Sequence, residues 1–383
     1  MTAVRKVGIA GAGTAGLATA ILLAEAGVEV DVYEARPTLD ALGSGITLQG
    51  NLLRALDRLG IWGEVQDRSF SFDLLGLRAP GPEAPVIATF PDSRTGGPDY
   101  PATAGMYRPD LARIMLSRAQ QLGVRVHFSR TVTALEEGTD CVTVTLVDSP
   151  DSTATATHDV LVGADGVRSA VRGLIGIETA PEPVGMGIFR AFVKRPASVD
   201  HTELVFGGRC YIAGYCPTGP DTMYAYLVHD AADHFDATPA EAAALMAGLS
   251  QGYGGPWDDI RTQLGSGAVE SVSYAWFTSH LVAGPWNRGR TVIIGDAAHS
   301  CPPTVAQGAA QAVEDALVLA EVLLAHDAVG DALWDAFHAR RVPRATTVVE
   351  ASTQICRWLM AGDRDADIPG TMRRVAALVV QEP

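Results

Sequence analysis

Three short segments carry residue types that can act together chemically. Gly11-Ala12-Gly13-Thr14-Ala15-Gly16 has the spacing of a phosphate-binding turn. Gly11 permits a tight bend, Gly13 lets backbone approach a pyrophosphate, and the helix that follows turns its positive N-terminus to that charge. Glu34 ends the next extended run and can accept hydrogen bonds from ribose hydroxyls. A carboxylate there disfavours a 2′-phosphate, so the resident dinucleotide is expected to be FAD or NAD rather than NADP. Gly163-Ala164-Asp165-Gly166 is the second segment, and Gly295-Asp296-Ala297-Ala298-His299 the third. Pro302-Pro303 and then Gln307-Gly308-Ala309 at a helix start follow it. Asp296 at a strand tip can bind sugar hydroxyls. Amides at the helix start can receive the electron-rich pyrimidine edge of a reduced flavin. A nicotinamide dehydrogenase needs no second station of this kind, which favours FAD.

A second group of residues suits a planar substrate. Tyr211 and Tyr215 are spaced to share one face of a strand, and Tyr224 and Tyr226 one face of the next. They read either as ordinary sheet packing or as an aromatic wall that stacks on a ring and orients its hydroxyl. Tyr215 is the candidate catalytic residue. Thr47 and Gln49 follow the Gly45-Ile46 turn and can face the substrate. His229 and His280 are candidate proton carriers, although a satisfied histidine is the plainer reading of each.

The elements that must position these residues are visible in the pattern. Val7 to Ala10 is continuously apolar, as a buried parallel strand is. A helix from about Ala15 to Ala26, stopped by Gly27, and a strand at Glu29 to Tyr33 complete a βαβ unit. Helical periodicity covers Arg108 to Leu122, with strands expected at 124–128, 142–147 and 159–162. From Gly176 to Ser279 the texture becomes antiparallel, with strands at 187–194, 203–206, 210–216, 223–229 and 269–277. Thr291 to Ile294 returns to parallel style and feeds a long helix from near Ala306. In that helix Glu314-Asp315 reads as a capping, solvated pair. The rest is helical and charged, with Pro343 marking a break.

Composition excludes some partners. The 383 residues carry 44 acidic and 29 basic side chains, a formal charge of -15. Such a surface repels nucleic acid and anionic membranes. Five cysteines show neither a C-x-x-C pair nor metal-ligand spacing, so no metal is expected. Cys210 and Cys216, six residues apart on one strand, would stand about 20 Å apart, too far for a disulfide. Reduced thiols and a cytoplasmic setting follow. Gly8, Gly11, Gly13 and Gly16 crowd the first apolar run, against its being a secretory signal.

Jointly, Gly11 to Gly16, Gly163 to Ser169 and Gly295 to Gly308 with Glu314-Asp315 resemble the three fingerprints of the single-component FAD-dependent aromatic hydroxylases, the p-hydroxybenzoate hydroxylase fold. Gly43-Ser44-Gly45-Ile46 with Asn51, Tyr107 to Leu111 and Arg340 to Arg344 also match that family's patterns. One departure is Ala306, where many members carry glycine. The variant Ala306-Gln307-Gly308-Ala309 is similar to the branch containing hydroxynicotinate monooxygenase.

The resemblance implies an α/β architecture. A Rossmann-like FAD-binding domain (1–70, 101–175 and 280–330) would carry an inserted, largely antiparallel β-sheet substrate domain (71–100 and 176–279) and a C-terminal helical segment (331–383). It implies that Gly11, Gly13, Ala15, Gly16, Glu34 and Arg36 hold the ADP half of FAD, that Arg108 reaches the pyrophosphate and that Val132 contacts adenine through its backbone. Gly45 would also serve FAD, and Asp165 belongs to a motif that the family links to both FAD and the transient nicotinamide. Gly295, Asp296, Pro303, Gln307, Gly308 and Ala309 would serve the reactive half. Arg190, after Phe189, would face the substrate or govern flavin motion, and Pro303 would border both flavin and substrate. The implied activity is hydroxylation of a phenol- or hydroxypyridine-like compound through a flavin C4a-hydroperoxide, with NADH or NADPH as a transient co-substrate and molecular oxygen consumed. A flavin dehydrogenase without oxygen insertion, or an oxygenase performing epoxidation, N-hydroxylation or ring opening, shares the same motifs. A monomer or homodimer is expected.

Overall fold

The computed structural model describes residues 2–39, 45–149, 152–267, 269 and 272–383. Val7, Ile9, Leu161 and Val162 are buried to the last atom, which is why the strands that carry them pair on both edges. Lys6–Ala10 lies between Glu29–Glu34 and Val160–Gly163, all parallel. Thr291–Ile293 continues the parallel run beyond Val160–Gly163, and Arg125–Phe128 beyond Glu29–Glu34. With Asn287–Arg288 these make a six-stranded sheet. The Thr14–Glu25 helix crosses over between the first two strands, and the Arg108–Gln121 helix packs beside it.

The second large sheet has eight strands in the order His299–Ser300, Val272–Leu281, Glu182–Lys194, Thr222–Asp230, Ile212–Pro217, Thr202–Phe206, Leu74–Arg78, Val86–Pro91. Every pairing is antiparallel except that of Thr202–Phe206 with Leu74–Arg78. Its two faces differ. Phe189, Ala213, Tyr215, Ala225 and Leu227 pack under the Pro239–Leu249 and Pro256–Ser266 helices, and Tyr224, Tyr226 and Cys216 lie on the other side.

The third glycine segment joins the two sheets, since Thr291–Ile293 belongs to one and His299–Ser300 to the other. Two local expectations change. Gly45–Gln49 is a strand rather than a turn, paired with Thr103–Tyr107. Pro343 lies inside an unbroken Asp331–Ala361 helix. Proline forfeits one helical hydrogen bond, but Arg341 and Arg344 on either side are both anchored to buried carboxylates, which hold the axis across it. Among the described residues, no helix is long and apolar enough to cross a membrane.

Candidate functional site

The three glycine segments meet at the C-terminal ends of adjacent parallel strands, where open α/β sheets bind ligands. The Gly11 N–H donates to the Tyr33 carbonyl at 2.8 Å, that of Ala164 to Ala10 at 2.8 Å, and that of Ile294 to Gly163 at 3.0 Å. Gly11 has φ +100°, and a β-carbon on it would stand 2.4 Å from the Ala164 carbonyl oxygen. A β-carbon on Gly295 would stand 3.0 Å from that of Ala15. Segments almost three hundred residues apart are therefore in contact.

Beside the turn opens a cavity of about 430 Å³, lined by Gly11, Gly13, Glu34, Arg36, Arg108, Val132 and Asp165 among others. Seven of the expected FAD-binding residues thus line one cavity. Ala15 and Gly16 lie behind it, buried in the Thr14–Glu25 helix, where a β-carbon on Gly16 would strike the Gly11 carbonyl oxygen at 2.0 Å. The residues fit a dinucleotide. A β-carbon on Gly13 would meet no atom within 4 Å, so the space there is open to a pyrophosphate beside the helix N-terminus. Glu34 accepts from the Ala12 and Arg36 N–H groups at 2.9 Å, one on each oxygen, which leaves each oxygen a lone pair for ribose. Arg36 and Arg108 line the cavity together with Arg130, which pairs with Asp148 at 2.9 Å, and the carboxylates Glu34 and Asp165 stand on the same lining.

Asp165 requires a correction. Its carboxylate accepts from the Ser169 hydroxyl and from the Ala170 and Val171 N–H groups, capping the short Ala170–Leu174 helix. Its side chain is spent on the fold, and only its backbone is free to meet a ligand. Gly45 is the first residue of its strand, closely overlaid by the Tyr224 ring. Gly43 and Ser44 lie outside the described residues.

At the second station Asp296 projects into open space yet is walled by protein on its flanks. That burial raises its carboxyl pKa, opposed by the His299 and Arg108 charges. The Gly295 N–H donates to Asp315 at 2.7 Å, and His299 Nε2 pairs with the same carboxylate oxygen at 2.8 Å. His299 is thereby a fixed structural group. Pro303 and Gly308 are exposed, and a β-carbon on Gly308 would meet nothing within 4 Å. The first N–H groups of the Gly308–Ala325 helix therefore open onto free space. Gln307 differs from expectation, because its side chain is buried and turned inward. Its Nε2 donates to Gln49 at 2.6 Å and Asn51 at 3.1 Å, and its Oε1 accepts from Asn51 at 3.0 Å and Gln311 at 3.5 Å. The amide has nothing left for a flavin, and Gln49 gives it only its carbonyl oxygen.

Of the four expected tyrosines, Tyr224 and Tyr226 stack into an aromatic wall, and Tyr211 and Tyr215 do not join it. Tyr215 is completely buried on the helix-covered face, packed edge-on to Trp257, and donates to Glu203, which also binds Arg78 at 2.6 Å. It anchors the Leu74–Arg78 strand to the sheet and lies on the face opposite Tyr224 and Tyr226, so the catalytic role expected of it does not survive. Tyr211 precedes its strand and donates to Asp230 at the sheet rim. Tyr224 and Tyr226 are stacked, with centroids 5.5 Å apart. The Tyr224 hydroxyl is 2.5 Å from Thr47 Oγ1, tying the wall to the Gly45–Gln49 strand. Burial pushes both phenols well above the usual tyrosine range, so they stay protonated and donate rather than act as bases.

Arg190 stands opposite Tyr226 in strand register. Burial, with repulsion from Arg108, lowers its pKa, and it makes no hydrogen bond or ion pair among the described residues. Arg108 acts electrostatically on both Arg190 and Asp296, which puts the tyrosine wall and the third glycine segment in one field. His229 stacks on Phe189 at the helix-covered face. His280 is held by Ser300 at 2.8 Å and Arg172 at 3.3 Å. Neither is placed to carry a proton. Sequence reasoning missed two features: the Thr47–Tyr224 tie, and the buried charges of Glu314 and Asp315 beneath Gln307. The second had a signal in two adjacent carboxylates set in the apolar middle of a helix and followed by Arg341 and Arg344.

Comparison with known proteins agrees with this geometry. A family model described as FAD binding domain matches residues 5–352. The 3-amino-4-hydroxybenzoate 2-monooxygenase PtmB3 of Streptomyces platensis is 32% identical over 370 residues, covering 91% of this chain and 87% of its own. The 6-hydroxynicotinate 3-monooxygenase of Bordetella bronchiseptica is 28% identical over 374 residues, covering 94% and 93%. In fold, the chain matches Klebsiella pneumoniae HpxO complexed with FAD and uric acid at TM-score 0.82 and 22% identity, covering 99% and 97%.

Proposed function

The chain belongs to the FAD-binding-domain family of flavin-dependent monooxygenases, and from that premise we propose that it hydroxylates a small aromatic or heteroaromatic compound bearing an ionisable hydroxyl or carboxyl group, with NADH or NADPH as the electron source. The observation that carries the substrate class is Arg190. A half-buried guanidinium with no counter-charge among the described residues, beside the stacked Tyr224 and Tyr226, is matched by a flat ring that brings an anionic or strongly accepting substituent. The names of the relatives from Streptomyces and Bordetella, both acting on hydroxylated aromatic acids, agree with this class.

Bound FAD would supply the redox chemistry, hydride acceptance from a nicotinamide and oxygen activation. The chain's own residues bind and orient. The Gly11–Gly13 backbone and the Thr14–Glu25 helix N-terminus would hold the pyrophosphate, Glu34 the adenosine ribose, and Asp296 the sugar-phosphate linker. The N–H groups of Gly308 and Ala309 would be the donors offered to the flavin ring. Arg190 lowers the pKa of a phenol bound against it and so pushes electron density into the aromatic ring that is to be oxidised. Tyr226, kept neutral, donates a hydrogen bond to the substrate, while apolar Ile188 and Phe192 on the same face exclude water.

The test is a screen of phenols, hydroxybenzoates and hydroxypyridines for accelerated NAD(P)H oxidation by the yellow, FAD-loaded protein. A hydroxylated product formed in proportion to the nicotinamide consumed supports the reading. Reduction of an added electron acceptor with no substrate-dependent oxygen uptake would make the protein a dehydrogenase instead.

A further inference from the structure

Glu314 and Asp315 are almost wholly buried, at 2% and 0% exposure, in the middle of the apolar Gly308–Ala325 helix. Burial alone would raise both carboxyl pKa values. The arginines of the Asp331–Ala361 helix, with His299 at Asp315, hold them below the ordinary range instead. Arg341 Nε donates to Asp315 at 2.7 Å, and Arg344 donates to both oxygens of Glu314 at 2.7 and 2.9 Å. Two buried carboxylates facing two buried guanidinia are costly to desolvate and weak evidence of stabilisation in themselves. What they do here is set direction.

A carboxylate only accepts and a guanidinium only donates, so the amides between them have no freedom to flip. Gln311 must turn its carbonyl to Arg341 (2.9 Å) and its NH₂ to Glu314 (3.0 Å). Asn51 must turn its NH₂ to Glu314 (3.0 Å), which aims its carbonyl at Thr95 and at Gln307 Nε2. Gln307 receives this order and passes it to Gln49. Every donor and acceptor of the Gln307 amide is engaged, and the next residues are Gly308 and Ala309. The residue before it, Ala306, is held in the left-handed region at φ 50°.

We propose that Glu314 is a positioning residue for the bound flavin. Its charge orders the Asn51–Gln307 amide chain, and that chain fixes where the Gly308 and Ala309 N–H groups point. The proposal rests on the reading that this helix start faces the flavin ring. N–H groups aimed at the pyrimidine edge favour the reduced, electron-rich form. Loosening them should weaken binding of reduced FAD more than that of oxidised FAD.

The experiment measures the two-electron midpoint potential of bound FAD by equilibration with reference dyes, in Glu314→Gln, Asn51→Ala and Ala309→Pro. Both Glu314→Gln and Asn51→Ala are expected to lose about tenfold in the preference for reduced over oxidised FAD, a shift of about 30 mV to more negative potential. A purely structural role would lower the melting temperature and leave the potential of the loaded protein unmoved, and that result overturns the proposal. Asn51→Ala carries the test if Glu314→Gln does not fold, because it cuts the amide chain and leaves the arginine pairs intact. Ala309→Pro separates the two levels, since it removes one N–H in a first helical turn that tolerates proline. An unmoved potential in Ala309→Pro removes the reading beneath the proposal, and the proposal with it. A shift there without one in Asn51→Ala sinks the positioning role alone.

Discussion

A methyl group on Gly11 would stand 2.4 Å from the carbonyl oxygen of Ala164, closer than a β-carbon approaches a backbone oxygen. The first two glycine segments are therefore packed backbone to backbone, and Gly11 is required by the fold. Gly13, two residues on, is surrounded by free space and has an ordinary φ of -77°. The two glycines separate experimentally. Gly11→Ala should destabilise the chain by several kcal/mol, as overpacking with a strained φ does. Gly13→Val should fold with near-normal melting and lose FAD, read as a colourless protein. A yellow, fully loaded Gly13→Val would contradict the pyrophosphate assignment.

Tyr215→Phe removes a buried hydrogen bond to Glu203 and should cost about 1–2 kcal/mol of stability. Product formed per NAD(P)H consumed should not change, because the ring faces the helices. Arg190→Gln should behave oppositely, with melting little affected, FAD retained, and KM for an acidic or phenolic substrate raised at least tenfold. Loss of coupling in Tyr215→Phe would return that residue to the site.

These contrasts show what the sequence makes legible. The proposed phosphate contacts are local, so Gly11, Gly13 and Glu34 stand out within one βαβ unit, and Asp296 and Gly308 within one strand-to-helix connection. The wall is not local. Alternation correctly paired Tyr224 with Tyr226, but which face of a sheet meets the cavity depends on strands and helices far along the chain, and Tyr215 fell on the covered side. Glu314 and Asp315 look like solvated charges until Arg341 and Arg344, almost thirty residues later, are folded against them. Pro343 failed as a helix break for the same reason.

Acid should weaken the protein from a pH well above the carboxylate range. Burial lowers the pKa of His158 to about 4, with the Lys6 charge adding to it, and burial with the Arg172 charge does the same for His280. In the unfolded chain both titrate near 6.5. Below that pH the unfolded chain binds protons that the folded one refuses, so stability present above 6.5 is lost as pH falls toward 4. The loss is up to about 3 kcal/mol for each histidine. Melting temperatures between pH 7 and 4.5 check this, and His158→Gln should flatten the decline. An equal slope in the variant would exclude His158 as a contributor.

Ala306 holds a left-handed conformation that costs an L-residue roughly 1 kcal/mol. Ala306→Gly relieves that strain against a smaller loss of chain entropy, so denaturant unfolding should show equal or slightly greater stability. A clear destabilisation would mean that the Ala306 methyl group makes packing contacts worth more than the strain.

The central claim is that this chain inserts oxygen into an aromatic ring with FAD. Turnover of a substrate found in the phenol and hydroxypyridine screen under ¹⁸O₂ tests it most directly, with the product analysed by mass spectrometry. One ¹⁸O atom per product molecule, formed with consumption of NAD(P)H, is the expected result. Unlabelled product, or peroxide as the sole fate of the oxygen consumed whichever aromatic compound is present, would contradict it.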